Sequence, residues 1–201
     1  MTIELTSIDP STCALLVMDY QPSILGGLPD PEPLLKVTGD AIATVREAGG
    51  TVGYVRVGFA DADFLAFPTF SMMGERIRSA REAMHESAPT TAVHPALAPV
   101  EGDIVVRKTR VGAFSTTDLD ERLANKGITT LVLAGVHTSG VTLTTVREAH
   151  DRDYQVVVLA DACADPDPSV HDVLVGTIFP KQGHVIATSE LSGLLAASRD
   201  E

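Results

Sequence analysis

LVLAGVHTSGVTLTT, Leu131 to Thr145, is the most legible part of this chain. Leu131 to Ala134 are four apolar residues in succession, Gly135 opens a short polar turn, and the sequence then resumes as the first turns of a helix. That order belongs to a buried parallel strand feeding a helix. In an open α/β sheet, ligands bind beyond the carboxyl ends of the strands, where backbone N–H groups point at negative charge. Two other apolar runs end in a charged residue: VMDYQ at Asp19 and VVRKTR at Lys108. A carboxylate, an ammonium and an N–H-rich turn at three strand ends are the parts of an active site.

Outward from that stretch, strands and helices alternate. CALLVMD is a continuous apolar run that suits a central strand covered on both faces. The proline- and glycine-rich YQPSILGGLPDPEP leads off its end as a loop. Leu34, Val37, Ala41, Val45 and Ala48 recur at helical spacing, and Gly49-Gly50 stops that helix before the strand TVGYVRV. GDIVVRK, ITTLVLAG, QVVVLAD and GHVIATS supply four more strands, with Asp161 ending the fifth and Cys163 in the loop after it. Helices are expected after the third strand, capped by Thr117, across SGVTLTTVREAHDRD, from Pro168, and across ELSGLLAAS. Six strands alternating with helices predict one α/β domain over residues 1–201, a doubly wound parallel sheet.

Residues 58 to 100 have no clean period. GFADADFLAFPTFSMMG holds four of the six phenylalanines and reads as a loop and short helix, followed by a weaker helix across Glu75 to Met84. Its aromatic side chains either roof a pocket or pack on their own domain. Arg56, Arg76, Arg78 and Arg81 are solvated or pair with a substrate carboxylate.

Bulk properties remove several function classes. The 201 residues are 44% hydrophobic and 21% charged, values of a globular chain. A net charge of -12 argues against a nucleic-acid partner, whose phosphates call for clustered Lys and Arg. No apolar run reaches the roughly 18 residues that span a bilayer, and MTIELTSIDPS has no basic region or apolar core, so no membrane partner and a cytoplasmic location are expected. The two cysteines, Cys13 and Cys163, are then free structural thiols. GVHTSG lacks the spaced glycines of a dinucleotide site, so no cofactor is implied.

MDYQ with Asp19, RKTRVGAF with Lys108 and GVHTSGVTLTT together resemble the isochorismatase-like hydrolase superfamily, also called the cysteine hydrolases, over roughly Ala14 to Ser189. The resemblance implies a three-layer α/β/α fold with a six-stranded parallel sheet, and a homodimer or homotetramer. It makes Asp19 the acid/base carboxylate and Lys108 the family's lysine, which fixes the geometry of Asp19 and binds an anionic substrate. Gly135, Val136 and Thr138 match the family's G-V-x-T-x-x-C-V turn, and the nucleophilic cysteine then falls on Val141. A valine cannot attack an amide or carry an acyl group. The family's non-proline cis peptide would be Val136–His137, with Val136, His137 and Val141 around an oxyanion hole. Gln21, Arg110, Phe114, His137 and Thr138 are implied substrate contacts, His137 either donating to substrate or capping the helix. VGFADAD lacks the histidine of the zinc-binding branch, so no metal is expected.

Isochorismatases also lack the cysteine, and their K-x-R-Y-S-A-F run is similar to KTRVGAF, with Lys108, Arg110, Ala113 and Phe114 in register. In those enzymes the aspartic acid protonates a vinyl ether and water captures the cation. The resemblance therefore implies a hydrolase of a small anionic molecule that needs no thiol. The alternatives are an amidase or carbamoyl hydrolase using water directly, with Asp19 as base, and an inactive small-molecule-binding homologue. Ser139 and Thr142 are poor substitutes for the thiol without a base in reach.

Overall fold

The computed structural model describes residues 4–197. Its elements in chain order are β1 (Cys13–Met18), α1 (Pro22–Leu25), α2 (Glu32–Ala48), β2 (Thr51–Val57), α3 (Asp61–Leu65), α4 (Met72–Ser79) and α5 (Arg81–Met84). There follow β3 (Ile104–Lys108), α6 (Leu119–Asn125), β4 (Thr130–Val136), α7 (Leu143–His150), β5 (Gln155–Ala164), α8 (Pro168–Val173), β6 (His184–Ile186) and α9 (Thr188–Ala197). The strands form one parallel six-stranded sheet in the order β3-β2-β1-β4-β5-β6. Winding runs outward from β1 to β3, then returns to the other side of β1 with β4. The topological switch point therefore lies between β1 and β4, the two strands buried at every residue.

Alternate residues of β1 divide the core into two layers. Cys13, Leu15 and Val17 pack with Leu35, Ile42 and Val45 of α2 and with Leu191 and Leu195 of α9. Ala14, Leu16 and Met18 face the opposite way, toward Leu119 and Leu123 of α6 and Val146 and Ala149 of α7. The period-2 alternation of a strand covered on both faces thus builds the three layers. Gly49, at φ 90°, ends α2 in the left-handed conformation that lacks a steric cost only for glycine.

Three sequence expectations are corrected. β5 runs past Asp161 to Ala164, because its pairing with β4 breaks after Leu133 and resumes at Gly135 opposite Cys163. Cys163 is therefore in a strand, and Asp161 in the irregular stretch instead binds the N–H and hydroxyl of Thr188 at the start of α9. The capping residue of α6 is Asp118; the Thr117 hydroxyl accepts from Leu119 N–H and donates to the Ala113 carbonyl.

Residues 58–100 form a small satellite core. Phe59, Phe64 and Phe67 pack with Val57 and Met84, while Phe70 lies 88% exposed. Arg107 of β3 ties this satellite to the sheet through Asp63 at 2.7 Å and Glu86 at 2.8 Å. Arg56 donates to the carbonyls of Glu86 and Thr91, Arg81 pairs with Asp61, and Arg76 and Arg78 are exposed on α4.

The loop leaving β1 is fixed by Tyr20, whose buried hydroxyl donates to the Ala162 carbonyl and accepts from the Thr38 hydroxyl, each at 2.7 Å. Tyr20→Phe removes one group and strands two buried partners, so it is expected to cost about 1–3 kcal/mol with the fold retained. Urea unfolding checks this; an unchanged midpoint would show that the loop is held by other contacts.

Candidate active site

Asp19 follows the last residue of β1 and adopts φ 61°, a conformation that a non-glycine residue holds only when its surroundings demand it. Its N–H donates to the Val55 carbonyl of β2, which lifts its side chain over the carboxyl edge of the sheet. Lys108 ends β3, and β3 is an edge strand two places from β1. The two strands do not both flank the switch point, yet the side chains meet. Two strand spacings, roughly 10 Å, separate the chains. The extended lysine crosses the end of β2 and places Nζ 2.8 Å from Asp19 Oδ2. Asp19 is 6% and Lys108 2% exposed.

Lys108 Nζ also donates to the carbonyls of Arg110, at 3.2 Å, and Val111, at 2.8 Å. Its three donors are then all committed within the protein. The loop carrying those carbonyls is held from α7: Ala113 N–H donates to Thr145, and Phe114 N–H reaches Glu148. A Cβ at Gly112 would sit 2.1 Å from a Glu148 carboxylate oxygen, so a larger residue there would have to push Glu148 aside.

Burial pushes the Asp19 carboxyl above its ordinary value, outweighing the downward pull of the Lys108 ammonium and of His137. The remaining oxygen, Oδ1, is buried without a hydrogen-bond partner.

The β4 turn completes the arrangement. The Val136–His137 peptide is cis, and a π-helical turn over Thr138–Thr142 leads into α7. Gly135 is needed here: a Cβ would approach the Thr142 hydroxyl to 2.5 Å. Gly140 and Thr142 N–H turn back to the His137 carbonyl, and Ser139 N–H donates to Asp165 at 2.8 Å. His137 is half-buried, with Nε2 buried and unpartnered. Val141 is 2% exposed and packs with the α7 layer. Cys163, paired in register with Gly135, lies 3.9 Å from the Thr142 hydroxyl, but burial pushes its thiol up to about 12. A thiol so rarely ionised is a poor nucleophile. Cys13 is likewise buried and free, its thiol raised to about 12 by burial.

Other expected contacts divide. Arg110 is half-buried, its guanidinium 4.2 Å from the Phe67 ring centroid and donating to the Thr109 carbonyl. Gln21 is fully buried, its amide donating to the Val57 and Thr91 carbonyls and accepting from Val57 N–H, so it braces the backbone and does not face a ligand. Thr138 is also fully buried and pairs with Nδ1 of His171 at 2.9 Å. Phe114 turns into the α7 layer, stacked on Tyr154 and beneath Arg152. Asp165, His171 and Glu148 were not singled out from sequence. Each acts across 26 to 34 positions of chain, and no local spacing marks such a partner. Among the described residues, no group of three or more His, Cys, Asp or Glu is placed to hold a metal ion. No described helix is long and apolar enough to cross a membrane.

The family model of the Isochorismatase domain matches residues 13–190. The chain belongs to the isochorismatase family. It is 31% identical over 191 residues to a probable isochorismatase of Pseudomonas chlororaphis, covering 92% of this chain and 87% of that one. It is 29% identical over 193 residues to the ureidoacrylate amidohydrolase RutB of Methylobacterium radiotolerans, with 86% and 75% covered. An isochorismatase family protein of Burkholderia thailandensis superposes with a TM-score of 0.82 at 29% identity, over 96% of this chain and all of that one. The six-stranded parallel sheet between helical layers is thus the fold of this hydrolase family.

Replacing Lys108 with Met removes the ammonium that opposes burial, so the folded-state pKa of Asp19 climbs further above its unfolded value. Stability is then lost as pH rises between those two values and regained on acidification. Lys108→Met is expected to cost about 3–5 kcal/mol at neutral pH, shrinking toward acid pH in thermal melts. A cost that does not vary with pH would show that Asp19 is not held by this ammonium. Gly135→Ala, by forcing Thr142 aside, is expected to cost about 1–3 kcal/mol in urea unfolding; no loss would show that the turn yields freely.

Proposed function

We propose that this isochorismatase-family protein hydrolyses a small anionic molecule of the enol-ether type by acid–base chemistry at Asp19, with no covalent sulfur intermediate. The observation that carries the reading is the buried Asp19 carboxyl, raised by burial despite its ion pair. A general acid works best with a pKa near working pH, and burial moves Asp19 in that direction against the pull of Lys108. Val141 at the family's cysteine position, and the high pKa of Cys163, support a route without a thiolate. Resemblance to a probable isochorismatase supports the same bond type.

In this reaction Asp19 delivers its proton to the enol-ether carbon, and the positive charge that develops beside the ether oxygen is captured by water. Lys108 has no donor to spare and so acts by keeping the carboxyl in place. Arg110, on the loop whose carbonyls hold Lys108, is the cation offered to a substrate carboxylate. A second reading, hydrolysis of an amide or carbamoyl group with ionised Asp19 as the base for water, is supported by the likeness to a ureidoacrylate amidohydrolase.

The two readings give opposite pH dependences. Against a panel of enol ethers and amides, the proposed acid predicts kcat/KM falling as pH rises through the raised Asp19 pKa, whereas a base predicts the rise. Asp19→Asn is expected to lower turnover by about 10²–10⁴-fold, the range for one general acid, with the fold kept but the melting point lowered, because the buried Lys108 ammonium loses its counter-charge. Full activity in that variant would contradict the assignment, and no turnover of any panel member would favour a binding protein.

A further inference from the structure

His137 holds chemistry that the reaction above does not use. Met18 pairs with Gly135 across β1 and β4, so Asp19 and His137 leave adjacent strands within one residue of the same level. Asp19 Oδ1 and His137 Nε2 are both buried, and neither has a hydrogen-bond partner. Gly27, in the loop after α1, closes over the imidazole, its Cβ direction ending 3.9 Å from Nε2. Buried polar atoms left unsatisfied cost about 1–3 kcal/mol each, and a water with several polar neighbours is the usual remedy. Beyond the ring stands Asp165. Burial pushes its carboxyl up, but hydrogen bonds from Ser139 and Asp167 and the charge of His137 hold it below the usual range.

We propose that Asp19 Oδ1 and His137 Nε2 together hold the hydrolytic water, and that His137 is the base that takes its proton. This rests on the reading that water, not sulfur, is the nucleophile. In balance, Asp19 gives a proton to the enol carbon, and the water oxygen bonds to the cationic carbon while one water proton passes to Nε2. The hemiketal hydroxyl then returns a proton to the Asp19 carboxylate, the carbon–oxygen bond to the leaving group breaks, and the imidazolium protonates the departing alkoxide. One substrate and one water give a ketone and an alcohol, with both side chains restored.

The first test needs no substrate. A high-resolution crystal structure is expected to show one ordered water within about 2.6–3.2 Å of both atoms. Long-range ¹⁵N NMR of histidine-labelled protein, assigned with His137→Gln, is expected to show neutral His137 protonated at Nδ1 with Nε2 bare. An Nε2–H tautomer, or no water shared by the two atoms, would overturn the proposal. Glutamine can hold the water but cannot take its proton, so His137→Gln is expected to lower kcat by about 10²–10⁴-fold on an enol ether that the wild type cleaves. Unchanged kcat would overturn the role as base. A protein with this water and tautomer that cleaves no enol ether would overturn the enol-ether reading while supporting the water site.

Discussion

A carboxylate and an ammonium 2.8 Å apart, both nearly sealed from water, cannot be kept by mutual attraction alone. Desolvating two charges costs several kcal/mol each, and the pair recovers this only when the remaining donors and acceptors are also satisfied. Here the ammonium is fully satisfied and the carboxylate is not. Lys108 has two carbonyls besides Asp19, whereas Asp19 keeps one oxygen without a partner. That asymmetry places the unmet demand on Asp19 Oδ1, at the mouth of the switch point. A ligand or water there would gain what the protein itself withholds.

The rest of the molecule serves to hold that pair. β1 lies at the centre of the sheet, buried on both faces, and stops where the backbone turns to a positive φ, so the carboxyl emerges from a strand buried at every residue. β3 lies at the edge, and its lysine must reach across β2. The loop whose carbonyls receive it is gripped by Thr145 and Glu148 of α7, the helix that starts from the β4 turn. The three strand ends are therefore joined: the turn after β4 leads into α7, whose Thr145 and Glu148 hold the loop that carries the carbonyls around Lys108.

Much of this was legible in the sequence because strands buried on both faces announce themselves as unbroken apolar runs. The fully buried strands β1 and β4 follow from that signal, and the remaining strands from shorter apolar runs together with the prolines and glycines between them. Asp19 and Lys108 were visible as charges terminating such runs. The crossing of β2 by Lys108 was not, since strand order is a property of the whole sheet. Gln21 and Thr138 look like ligand contacts in a motif, yet the structure uses both to satisfy buried backbone and a helix-borne imidazole. The path of β5 past Asp161 was hidden because it depends on a break in pairing with β4, which leaves no trace in composition. Residues 58–100 resisted reading because their phenylalanines bury against one another in a satellite core with no single period.

The account turns on a carboxyl that stays protonated further up the pH scale than its ion pair alone would allow. Its most direct measurement is the titration of the Asp19 side-chain carbon by ¹³C NMR in the unliganded protein. The account predicts a midpoint above the ordinary carboxyl value of 3.8. A midpoint at or below that value would mean that the Lys108 charge dominates burial, and that Asp19 is no general acid.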